Sequence, residues 1–334
     1  MVSLLVLCYT DGENSRKGDP VMKEKTALSR REKWVLPEKY QLFLMLLPFL
    51  ILVLIFSYMP LYGWRYAFYS YRPGFGLDKS PYVGLYWFES IFSNSYQVAE
   101  ITRVMVNTLA ISGLGLLINC FAPIFAVLLN EIRRKRYRKC VQVLTTLPNF
   151  ISWVLVYAVA FAMFNVSNGF VNQVLLNLGW ISAPSNVLAS SSNVWLTMTL
   201  WSAWKSLGWS SILYLAAIAG IDQELYEAAK VDGANRFQQV LHITLPGISA
   251  TFLVLLVMSI ANLINNGMDQ YYVFQNAMNK SRIEVLDLYV YNISIAGGNF
   301  SFGTAVSMMK SLISLTLLLI ANGAAKLIRG TSIF

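Results

Sequence analysis

Charge is scarce in this sequence. Only 13% of its 334 residues are Asp, Glu, Lys or Arg, while 56% are hydrophobic. A soluble domain carries about a quarter charged residues, and a disordered chain is charged and poor in apolar residues. Both classes are excluded. Three cysteines (Cys8, Cys120, Cys140) set no disulfide framework. The single histidine, His242, rules out a histidine-based metal centre, and no metal site is expected. No low-complexity tract or internal repeat is visible, and no alternating pattern of barrel strands. A GxxxxGK[ST] phosphate loop is missing, as are Ser/His, paired-Asp and HExxH sets at matching depth. The chain is therefore expected to be no enzyme, with no catalytic residue and no bound cofactor.

What it has is apolar length. A helix rises about 1.5 Å per residue, so a hydrocarbon layer of ~30 Å takes about 20 apolar residues. Six windows qualify: 41–62, 105–129, 142–164, 194–218, 248–267 and 304–328. Lipid offers no partner to backbone N–H and C=O groups, so the spanning element is the helix. The predicted fold is an all-α integral membrane protein with six transmembrane helices. Pro48, Pro60, Pro123 and Pro148 fall in or at the ends of these runs, which membrane helices tolerate.

Lysine and arginine set the orientation. Eighteen of the 26 lie in the leading segment, in 130–140, in 219–247 and at the C-terminal end (Lys326 and Arg329). Both termini are thus expected in the cytoplasm of a multi-pass plasma-membrane protein. The opening MVSLLVLC lacks a basic n-region and a cleavage-like site, so it is not read as a signal peptide; Met22 offers an alternative start. Residues 1–39 read as a basic cytoplasmic tail against anionic lipid, and 40–334 as the membrane domain. The run Arg133–Lys139 is a topology determinant that also meets lipid headgroups, so nucleic acid is no expected partner.

The loop 219–247, between spans four and five, carries the strongest pattern. Asp222 suits a helix N-cap, with Glu224 in the first turn. Ala228 and Ala229 leave a bare face for close approach. Asp232-Gly233 supplies the turn that ends the helix. Phe237, Val240 and Leu241 make a second amphipathic turn, and Pro246 suits the first turn of span five. Glu227-Ala228-Ala229, Gly233 after three residues, then Ile243-x-Leu245-Pro246 after nine resembles the EAA loop of ABC importer permeases. Asn107-Thr108-Leu109, Gly169-Phe-Val-Asn172 with Gly179, and Phe302-Gly303-Thr304-Ala305 are similar to the sugar-permease branch. The likeness covers roughly 40–334 and is nearest to oligosaccharide and polysaccharide importers of the maltose-permease class, including alginate and rhamnogalacturonan systems. Unlike the eight-span maltose subunit, six spans are expected here, with no large external domain.

The resemblance implies a permease subunit of an ATP-driven oligosaccharide importer. Its implied partners are a second permease, a dimer of ATP-binding subunits that hold ATP and Mg2+, and an extracellular solute-binding protein that delivers the sugar. Glu227, Ala228, Ala229, Asp232, Gly233, Ile243, Leu245 and Pro246 would form the cytoplasmic coupling helix and its flank. A secondary transporter is the less favoured class, since no related halves with broken helices are visible.

Ionisable residues in spans face a cavity or a partner. Lys205 falls mid-span, and Trp201, Lys205, Gly208 and Trp209 share one helical face. Two indoles and an ammonium suit a sugar, and pairing with a partner-subunit carboxylate suits the lysine equally. Lys310, two turns into span six, either helps at the entry or snorkels. Asn262, Asn265 and Asn266 cluster at the outer end of span five, followed by Asp269, and Asn262 and Asn266, four residues apart, are expected to share a helical face. Their polar groups would bind sugar hydroxyls or hydrogen-bond across helices. No Asp or Glu lies inside a window, so both lysines are expected to lack a partner within the chain. An unpaired ammonium there costs about 2.5–3.5 kcal/mol. A substrate carboxylate would offset it, which points to acidic, uronate-containing sugars; neutral oligosaccharides are the alternative.

Overall fold

The computed structural model describes residues 37–329. The predicted basic tail, except for its last three residues, lies outside the described residues. The chain divides into two units, 1–56 and 57–334.

The first unit contributes α1 (Glu38–Val53), 16 residues with Pro48 inside. Its large apolar side chains from Leu42 to Val53 are exposed. A helix apolar on every side belongs in lipid. A π-turn (Leu54–Tyr58) and a 3-10 segment (Met59–Phe68) follow, so that Lys39–Phe68 is a helical run of 30 residues.

In the second unit, α2 (Ser95–Asn119) and α3 (Phe121–Glu131) join into a run of 37 residues. It starts before the predicted residue 105 because Asn94 Oδ1 accepts from the Tyr96 N–H at 3.0 Å and caps the helix. Next come α4 (Lys135–Thr146) and α5 (Trp153–Phe164). The expected continuous span 142–164 is corrected here: Lys135–Phe150 and Trp153–Phe164 meet at 106°. Pro148 removes a helical N–H and crowds the preceding turn. Ser152 Oγ then accepts from the Leu155 N–H at 3.4 Å and starts a new helix.

The central element is α6 (Val194–Ala219), 26 residues long, packed on α2, α3 and α4. Gly208 permits the last of these contacts, since a Cβ there would lie 2.2 Å from the Thr145 carbonyl oxygen. Beyond it lie α7 (Gln223–Val231), α8 (Arg236–Gln239), α9 (Leu245–Ala261) and α10 (Phe300–Arg329). The predicted fifth span ran to 267, yet α9 stops at Ala261. Asn262 leaves the helix at φ −93°, ψ 10°, and Gly267 turns at φ +71°.

Among the described residues the structure is helical, with one isolated bridge (Tyr69 to Tyr82) and no strand. Four runs are long and apolar enough to cross a membrane: Lys39–Phe68, Ser95–Glu131, Arg236–Ala261 and Phe300–Leu327. The bent pair α4–α5 makes a fifth. The length of α6 suffices for a span, but Lys205 and its serines and threonines dilute the apolar run.

Candidate substrate cavity and coupling loop

Helices α2, α6 and α9 line a half-open cavity of 380 Å3, within the ~300–1,000 Å3 of small-molecule sites. Its polar lining includes Ser112, Asn119, Ser202, Asn262, Asn266 and Tyr271. Ser112 Oγ donates to Asn266 Oδ1 at 2.7 Å. Asn262 Nδ2 donates to the Met258 carbonyl one turn back, at 2.9 Å. Burial pushes the Tyr271 hydroxyl up to about 12, so it remains a neutral donor beside Asn266. No charged residue lines this space. It offers amides and hydroxyls on an apolar wall, the chemistry that fits sugar hydroxyls and C–H faces.

Two predicted residues, Asn262 and Asn266, meet here, though by another route than expected. Both lie past the end of α9, so they share a cavity without sharing a helical face. Asp269 is exposed at the start of the short helix Asp269–Phe274, away from the lining. Asn265 spans to α10, its Nδ2 donating to Ser314 Oγ at 3.1 Å.

The face of α6 with the tryptophans and the lysine turns elsewhere. Trp201 packs edge-on to Phe164 and Trp204, at 6.3 and 5.7 Å between centroids. Trp209 meets Phe150 at 5.8 Å. Lys205 Nζ donates to the carbonyls of Pro148 (3.2 Å), Asn149 (2.7 Å) and Ile151 (2.7 Å). Lys310 pairs with Asp287, whose other oxygen accepts from the Gly267 N–H at 2.8 Å. The expectation that both ammonium groups lack a partner within the chain is therefore corrected. Backbone carbonyls cannot be counted as acids in a sequence, and Asp287 lies outside every predicted window.

Sequence reasoning also missed a half-buried ion-pair cluster. Arg103 on α2 bridges Glu100 (2.6 Å) and Glu284 (2.7 Å), and the buried Glu284 also accepts from Asn292 Nδ2 at 2.7 Å. One turn on, Asn107 donates to the carbonyls of Ser281 (2.9 Å) and Glu284 (3.1 Å). Thr108 Oγ1 accepts from the Leu286 N–H at 2.9 Å. The Asn107-Thr108 pair thus fastens α2 to residues 281–286. Asn172 does similar work, donating to Phe164, Asn165 and Ser185 carbonyls at 3.2, 3.0 and 3.1 Å.

The loop after α6 follows the predicted caps. Asp222 Oδ1 accepts from the Glu224 N–H at 3.0 Å, α7 ends at Val231, and Gly233 takes φ +80°. Asn235 and Gln238 form a reciprocal capping box at α8. Pro246 opens α9. The Tyr226 hydroxyl bonds Thr244 Oγ1 at 2.9 Å, and Arg236 pairs with Glu131 at 3.4 Å, holding the loop to α9 and α3. Glu227 and Ala228 are exposed and Ala229 half-buried. Around them Leu225, Val231, Phe237 and Leu241 are exposed too. Ala229, Asp232, Gly233 and Ile243 line a second hollow of 320 Å3. Leu245 and Pro246 stay exposed at the root of α9.

Comparison with known proteins agrees with this construction. Residues 113–330 match the family model described as "Binding-protein-dependent transport system inner membrane component". Protein LplB of Bacillus subtilis is 39% identical over 90% of this chain and 91% of its own length. The polygalacturonan/rhamnogalacturonan transport system permease protein YteP of the same organism is 37% identical over 92% and 94%. The fold is similar to the crystal structure of a bacterial alginate ABC transporter in complex with alginate pentasaccharide-bound periplasmic protein. There the TM-score is 0.77 at 32% identity, covering 89% of this chain and 97% of that one. The chain is an integral-membrane permease of a carbohydrate ABC importer, not itself an enzyme, and belongs to the binding-protein-dependent transport system inner membrane component family.

Proposed function

We propose that this permease takes up acidic, uronate-containing oligosaccharides. The observation that carries the reading is its similarity, over 92% of this chain, to YteP, named for polygalacturonan and rhamnogalacturonan, joined by its likeness to the alginate transporter. Both named classes of polymer carry sugar carboxylates. An extracellular solute-binding protein delivers the sugar, and the chain works as one of two permease subunits on a separate ATPase dimer. ATP and Mg2+ stay with those subunits. Residues 40–334 cross the membrane six times, with both termini and the loop 219–247 in the cytoplasm. The charge asymmetry supports that orientation.

In this reading α7 enters a groove of the ATPase. Glu227 supplies the charge, Ala228 and Ala229 the close approach, and Asp232-Gly233 the turn back toward Ile243, Leu245 and Pro246. The exposed apolar rim around Glu227 supports a protein partner, since Val231 is 88% and Phe237 74% accessible. ATP-driven closure moves α7, and Arg236–Glu131 and Tyr226–Thr244 pass that motion to α3 and α9 as rigid bodies. Sugar passes the cavity, where Asn262 and Asn266 meet its hydroxyls, while exposed Asp269 lies off this path. Lys310 stays with Asp287 as an entry-side support.

The uncharged lining of the cavity favours a second reading, import of neutral oligosaccharides. The two separate in the complex reconstituted with its binding protein. ATPase activity stimulated more by uronate oligomers than by neutral ones of equal length supports the acidic reading. The reverse order overturns it and leaves the importer assignment standing.

A further inference from the structure

We propose that Lys205 is a tethered cation that holds the broken span α4–α5 in its working geometry, and that it never touches the sugar. An ammonium has three N–H donors. All three are engaged, by the carbonyls of Pro148, Asn149 and Ile151. Nothing remains for a hydroxyl or a substrate carboxylate. The same Nζ stands 5.5 Å over the Trp153 ring, which adds a cation–π contact at the start of α5.

The acceptors explain why a cation sits here. A helix that turns by 106° inside an apolar layer exposes carbonyls that the regular i to i+4 ladder would have satisfied. Non-helical backbone at membrane depth persists only where protein or water supplies partners. Lys205 is the donor that the structure gives to the Asn149 and Ile151 carbonyls. These carbonyls follow the C-terminal end of α4, where the helix dipole favours positive charge. Unwound carbonyls and half-helix ends in other transporters hold Na+; here the cation is covalently attached and cannot leave. Gly208, one turn along α6, lets the same helix face reach the α4 backbone at Thr145, so ammonium and glycine form one docking seam.

The inference does not depend on the substrate class. Its test is uptake by the full complex reconstituted in vesicles. Lys205→Ala should lower the maximal rate about tenfold or more, equally for uronate and neutral oligomers, because two or more carbonyls lose their donor. Millimolar ethylammonium, which fits the truncated side chain, should restore much of that rate and leave wild type unchanged. A raised half-saturation confined to uronate oligomers, with no response to ethylammonium, would overturn the proposal. Should Lys205→Ala fail to accumulate in membranes, amine labelling of the wild-type complex followed by mass spectrometry decides. Lys205 that stays unlabelled with and without sugar supports the tether. Lys205 that labels freely and is protected by uronate oligomers contradicts it.

Discussion

Two faces of α6 do opposite things. One carries Trp201, Lys205, Gly208 and Trp209, and every one of these packs onto α4, α5 or the break between them. The other carries Thr199, Ser202 and Ser210 and opens on the cavity. The charged, aromatic face suits a sugar or a partner-subunit carboxylate equally by sequence; the plain hydroxyl face borders the cavity. A cation within a span is expensive, and that expense is met as readily by a chain break as by a ligand. Polarity at membrane depth therefore marks unsatisfied groups first, and substrate only when no backbone is there to claim it.

The sharpest way to break the packed face is Gly208→Val. Its Cβ would lie 2.2 Å from backbone oxygen, so α6 and α4 must separate. Destabilisation of about 3 kcal/mol or more is expected, read as loss of the protein from detergent extracts; normal yield would remove the seam. Nearly as large is the effect expected at the coupling loop. Glu227→Lys removes a charge match worth about 2–5 kcal/mol if desolvated, and Gly233→Val opposes φ +80°. Both should insert normally and lose sugar-driven uptake while ATP hydrolysis continues. Wild-type uptake by both variants would take the loop out of the mechanism.

How far the two faces could be read in advance follows from distance along the chain. Local signals held: the Asp222 cap, the Gly233 turn and Pro246 at the start of α9 all depend on neighbours within a few residues. The partners of Lys205 lie 54 to 57 residues away and are backbone atoms, invisible to a search for acids. Pro148 did announce the break, yet proline is also tolerated in continuous membrane helices, so hydropathy carried the window through it. Asn262 and Asn266 were found as a polar cluster at helical spacing. Their common cavity came from the turn after Ala261, which no 3.6-residue period encodes.

Smaller effects sharpen the contrast. Asp287→Asn leaves Lys310 without its counter-charge in a site where both side chains are mostly covered. A loss of about 1–3 kcal/mol is expected, and adding Lys310→Met should recover part of it. Thermal unfolding of the detergent-solubilised protein checks both; no recovery would mean that the two charges are not coupled. On the cavity face, Asn266→Ala removes one amide that Ser112 holds at 2.7 Å. Half-saturation for sugar should rise about fivefold to tenfold, with little change in protein yield. An unchanged half-saturation would place the sugar elsewhere.

The contrast between the faces is tested most directly by two native thiols. Cys120 lines the cavity, and Cys140 is exposed on α4, outside it. Alkylation by N-ethylmaleimide would be followed at each site by mass spectrometry in the assembled complex, with and without sugar on the binding protein. Sugar in transit should slow modification of Cys120 and leave Cys140 unchanged. Equal rates at Cys120 with and without sugar would contradict passage along the hydroxyl face.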